Sequence, residues 1–93
     1  MATINISVDA DWTLIVPTAA TWCLVSSDSP SIVEYATGAN DSTAPTATIG
    51  WRLKQNEGFT RAVIQEGSIY ARVANQASSK TAVVVVDADS LPS

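Results

Sequence analysis

The stretch that most constrains the fold lies toward the C-terminal end. There GSIYARVA (67–74) and TAVVVV (81–86) flank the polar loop NQASSK. Both runs are rich in β-branched and aromatic residues around a turn-like loop, so the segment reads as a β-hairpin. The second run is apolar on both faces, which a strand with one face in water does not tolerate. It must be covered twice. The expectation is a small all-β domain with this hairpin at its centre, and a second cover supplied by another protein chain.

The rest of the chain repeats the short-strand pattern. ATINISV (2–8) alternates, with Ile4, Ile6 and Val8 on one face and Thr3, Asn5 and Ser7 on the other. After the polar turn Asp9–Asp11, WTLIV puts Trp12, Leu14 and Val16 on one face, so the two runs predict an opening hairpin that ends at Pro17. TWCLVSS (21–27) is apolar on both faces, with Trp22 and Leu24 read as inward and Cys23 and Val25 as outward. SIVEYAT (31–37) points Val33 and Tyr35 in and Glu34 out. GANDSTAP (38–45) has the composition of an exposed, mobile loop. TIGWRLK (48–54) aligns Ile49, Trp51 and Leu53, and FTRAVIQ (59–65) follows the turn QNEG. About eight short strands, with no convincing helical window, predict an antiparallel β-sandwich or a jelly-roll-like barrel. Residues 1–93 form one domain, of which 88–93 is a polar tail.

At 93 residues, the chain buries only ~60–65% of the surface its unfolded form exposes. Its charged fraction is 15% and its net charge −4, with no basic run, so it lacks the electrostatic footprint of a nucleic-acid binder. The N-terminal residues have no basic and long apolar signal segment, which predicts synthesis and folding in a cytosol. The longest apolar run, Ala82–Val86, is far shorter than the ~20 residues of a membrane span.

Catalytic chemistry has little to work with. There is no histidine, the commonest general base at neutral pH and the commonest metal ligand. The single cysteine, Cys23, sits in an apolar run and reads as a buried inert thiol. No serine stands in a G-x-S-x-G or S-x-x-K setting. The acidic pairs Asp9 with Asp11 and Asp87 with Asp89 lack a complete calcium-loop spacing and read as turn residues and strand terminators. The expectation is a non-enzyme without a cofactor or metal. Three tryptophans invite a sugar-stacking reading, but each alternates with aliphatic residues, which favours core packing.

Interaction surfaces are a better prospect. Cys23, Val25, Val83 and Val85, opposite the expected core face, are candidates for contact with a neighbouring subunit. Arg61 and Arg72 are placed on neighbouring strands, with Tyr70 on the face of Arg72. They would form a stacked or ion-paired cluster with Glu34, Glu57 or Glu66, on a solvated sheet face or in a subunit contact. Thr3 and Asn5 of the N-terminal segment, and Asn40 and Asp41 of the 38–45 loop, complete the candidate contact residues.

Asp11-Trp12-Thr13, Arg61 ahead of a turn at Gly67, and the Ile69-Tyr70-Ala71-Arg72 strand closing on a valine-rich strand form a recurring set. In these features the chain resembles small β-sandwich proteins encoded among the structural genes of tailed bacteriophages. The resemblance spans most of the chain through short motifs. It implies a virion component, most like a head decoration or cement protein. Such a protein binds the outside of the mature capsid, often as a homotrimer, and clamps neighbouring major capsid subunits. Two other readings are a tail-fibre or baseplate accessory module that binds surface glycans through loop aromatics, and a small intracellular regulator that binds a host protein.

Overall fold

A computed structural model describes residues 2–27, 32–46, 50–54, 57–62, 67–74 and 81–92. Among them are eight strands and no helix: β1 (Ala2–Val8), β2 (Thr13–Val16), β3 (Trp22–Ser27), β4 (Val33–Gly38), β5 (Trp51–Leu53), β6 (Gly58–Ala62), β7 (Ser68–Val73) and β8 (Ala82–Ala88). They form two antiparallel four-stranded sheets, ordered β1-β8-β3-β6 and β2-β7-β4-β5. That connectivity is the order of an eight-stranded jelly roll, two Greek keys wrapped into a sandwich. The expected all-β sandwich is therefore present.

The core fills the space between the sheets. β8 contributes Ala82, Val84, Val86 and Ala88, β7 contributes Ile69, Ala71 and Val73, and Val33 and Tyr35 come from β4. Ile15 and Val16 are both buried, because the register of β2 on β7 shifts between Leu14 and Val16. Such a shift turns two successive side chains toward the same side, which strict alternation cannot anticipate. Burial also pushes the Tyr35 phenol well above its usual pKa.

Two pairings differ from the sequence expectation. β7 and β8 are not a hairpin, since each is an interior strand of a different sheet. β1 and β2 are likewise separated: β1 pairs with β8 from Ala2↔Ala88 to Val8↔Ala82, and β2 pairs with β7. In both cases the chain crosses from one sheet to the other through its loop. Local alternation defines strands but holds no information on which long-range partner closes the ladder. The loop 75–80 lies outside the described residues.

The C-terminal stretch is docked. Ala88 ends β8 in the core and Leu91 packs against it. Asp89 accepts hydrogen bonds from Thr21 N–H (2.8 Å) and Thr21 Oγ1 (2.5 Å) at the start of β3.

Candidate functional site

The outer faces of the two sheets are finished differently. On β2-β7-β4-β5, the outward residues are covered by the chain itself. Glu34 on β4 stands directly opposite Arg72 on β7 and Arg52 on β5 in the ladder. Arg72 Nε donates to Glu34 Oε2 at 3.0 Å, while Arg52 Nε and its terminal nitrogen lie 3.3 Å from Oε1. Trp12 stacks on the far side of Arg72, its ring centroid 4.1 Å from the guanidinium carbon. Trp12, Arg72, Glu34 and Arg52 thus form a band across the whole sheet, and Glu34 has no solvent exposure. A carboxylate so buried is tolerable because charge-assisted hydrogen bonds reach both of its oxygens.

The sequence leaves Glu34, Glu57 and Glu66 open as partners of Arg61 and Arg72; the structure pairs Arg72 with Glu34 and adds Arg52 and Trp12, which the sequence reading does not include. Arg61 lies on β6, in the opposite sheet from Arg72, so the two arginines are not on neighbouring strands. Its side chain lies outside what is described. Glu57 is engaged elsewhere, where its Oε1 accepts from Lys54 N–H at 2.6 Å, and Glu66 is outside the described residues.

The rest of that face is closed by the 38–45 loop. Tyr70 is buried, and its hydroxyl donates to the Asn40 carbonyl at 2.8 Å. Asp41 Oδ1 accepts from Thr18 N–H at 2.7 Å and from Ser68 Oγ at 2.5 Å, and these bonds hold its carboxyl below the usual pKa range. Asn40 Oδ1 caps its own turn by accepting from Ser42 N–H at 2.9 Å. Asn40 and Asp41 are exposed, as expected of a loop, but they pin it to the β2–β3 connection and to β7.

The outer face of β1-β8-β3-β6 is left open by the described residues. Here the inward and outward residues of β3 are the reverse of those expected. Cys23 and Val25 are core residues at 3% exposure each, while Leu24 is 46% exposed. A strand apolar on both faces has no alternation to tell inside from outside, so the larger side chains misled the reading. Val83 and Val85 do lie on the outer face, half-buried, beside Thr3 and Asn5 on β1, which are exposed. Ladder pairing puts Leu24 beside Asp87 and Ser26 beside Val85 and Gly58. These residues line an open concavity of about 520 Å³ with Thr3 at its margin. Glycine at 58 is required, because a Cβ there would collide with the Val25 carbonyl oxygen and touch Ser26. Asp87 is the carboxylate of this concavity, and Thr3 Oγ1 donates weakly to it at 3.4 Å.

The tryptophans also depart from expectation. None belongs to the buried core: Trp12 and Trp22 are half-buried and Trp51 is 59% exposed. Trp51 is opposite Tyr35 in the ladder, but it sits on a three-residue strand at the edge of the sheet, and among the described residues no strand lies beyond it. With Ala36, Thr37 and Gly50 these two aromatic residues line a second shallow cleft of about 330 Å³.

Among the described residues, no three carboxylate or thiol groups converge in a way that would hold a metal ion. Asp9 Oδ1 accepts from Asp11 N–H at 2.9 Å in a turn, and Asp89 clamps β3. Compared with protein-family models, curated proteins and solved structures, the chain matches none.

Proposed function

We propose that this chain is a non-catalytic structural module that docks through the open outer face of β1-β8-β3-β6. Taking up the family its motifs resemble, we place that docking on the outside of a mature bacteriophage head, against the major capsid protein. The observation that carries the reading is Leu24, exposed on an interior strand with Val85 across the ladder from its neighbour Ser26. Covering the open half of a leucine is worth roughly 1 kcal/mol per copy. A weak contact of this kind becomes effective when repeated over a lattice, since any ligand that binds only the assembled shell stabilises it by mass action.

The decisive measurement is the copy number per purified virion, by quantitative mass spectrometry against the major capsid protein. Hundreds of copies, near the capsid subunit count or a simple fraction of it, support head decoration. A few to a few tens relocate the chain to the tail, and none discards a virion role. Leu24→Lys tests the face itself. It stands opposite Asp87, so the new charge has a partner and the fold should hold, while binding to capsids should be lost.

A second reading rests on Trp51. Its exposed indole beside the 330 Å³ cleft suits stacking on a sugar ring, which supports a tail-fibre or baseplate module that binds surface glycans. Tryptophan emission should contain a solvent-quenchable component that disappears in Trp51→Phe. If added glycans leave that component unchanged, this reading fails.

A further inference from the structure

The sandwich has four edge strands, and three carry devices that discourage pairing with another chain. β2 has four residues, a register shift and Pro17 directly after it. β5 has three residues and carries Arg52. β6 begins with Gly58 and carries Arg61. Shortness, bulges, proline and charge are the usual protections of a sheet edge. β1 has none of them. It runs for seven residues in unbroken register with β8, and ATINISV contains no charged residue, glycine or proline. Among the described residues, no strand pairs with its other side.

The segment is also complementary to itself. An antiparallel pairing of two copies centred on Asn5 sets Ile4 opposite Ile6, Thr3 opposite Ser7, and Asn5 opposite its own counterpart. Each face then meets its like. Ile4 and Ile6 point toward the core but are only half-buried, since the sheet ends at β1. A second copy would extend the core face past that end, while the Thr–Ser and Asn–Asn pairs would bond across the outer face. Each copy carries a net charge of −4 and so repels another, and β1 adds no charge of its own to that repulsion.

We infer that β1 is the pairing edge of a two-fold symmetric dimer, in which β1 of two copies join to form one continuous eight-stranded sheet. The contact is isologous and closes on itself. It goes beyond the capsid reading and does not depend on it.

The test is sedimentation equilibrium of the full chain over a wide concentration range. The expected result is the mass of two 9.7 kDa chains, falling to that of one chain in Asn5→Lys, where like charges would face each other at the two-fold axis. In parallel, Asn5→Cys with a short bis-maleimide should give a covalent dimer. The native chain should not, because Cys23 is buried. A single-chain mass at every concentration overturns the proposal, even if a strand of some other protein binds the edge. A trimer mass, or an Asn5→Cys chain that does not cross-link, overturns it as well.

Discussion

Glu34 is buried without any solvent contact between two guanidiniums that are themselves partly exposed, Arg52 more than Arg72. Removing the carboxylate would take the 3.0 Å ion pair from Arg72, whose side chain is 16% exposed and stacked on Trp12. Glu34→Ala should therefore cost about 3 kcal/mol in denaturant unfolding, and Glu34→Gln about half of that because one amide oxygen can still accept. Arg52→Ala, at an exposed site, should cost under about 1 kcal/mol. A second residue-scale expectation concerns acid. Hydrogen bonds from Ser68 and Thr18 to Asp41, and from Thr21 to Asp89, lower both carboxyls from their ordinary value of 3.8. A folded-state pKa below the unfolded one gives stability that is present above the ordinary value and lost as pH falls through the lowered one. Thermal melting should change little toward neutral pH and drop below about pH 4, and Asp41→Asn with Asp89→Asn should flatten that drop. At this scale the sequence was partly legible. It held Glu34 among three candidate partners of Arg72, beside Glu57 and Glu66. It missed Arg52 and Trp12, because joining four separate segments into one band needs the register of three ladders.

Strand existence was readable, and strand partnership was not. Alternation located β1, and two-faced apolar runs located β3 and β8, because side-chain period is a local property. Nothing local distinguishes a hairpin from two strands that cross between sheets, so the pairs β1–β2 and β7–β8 were misread. The inverted faces of β3 have the same origin, since Trp22-Cys23-Leu24-Val25 is apolar at every position. The entry to β7 offers a test at this level. Gly67 holds a φ of +152°, and a Cβ there would lie 2.5 Å from the Gly38 carbonyl oxygen. Gly67→Ala should lose more than about 1 kcal/mol and loosen the junction of β7 with the end of β4, read as faster amide exchange at Ser68 and Gly38.

As a whole, the molecule has one core shared by two sheets, with one outer face closed by its own loop and band and the other left open by the described residues. That asymmetry is the part of the candidate site that composition foreshadowed: a chain with 15% charged residues has few polar groups with which to cover every surface. It also gives unfolding a single unit. A cavity at Val84, fully buried on the central strand β8, should lower the one thermal transition rather than split it, as Val84→Ala followed by calorimetry would show. The ladder order has a further consequence for how the protein comes into being. Among the described residues β1 pairs with β8 and β2 with β7, so these two strands meet their ladder partners after β7 and β8 have been translated. Until then two of the four edges of the finished sandwich exist only as loose ribbon. While β3 pairs with β6 and β4 with β5, β1 and β2 stay without their ladder partners and are exposed to mispairing with neighbours on a polysome.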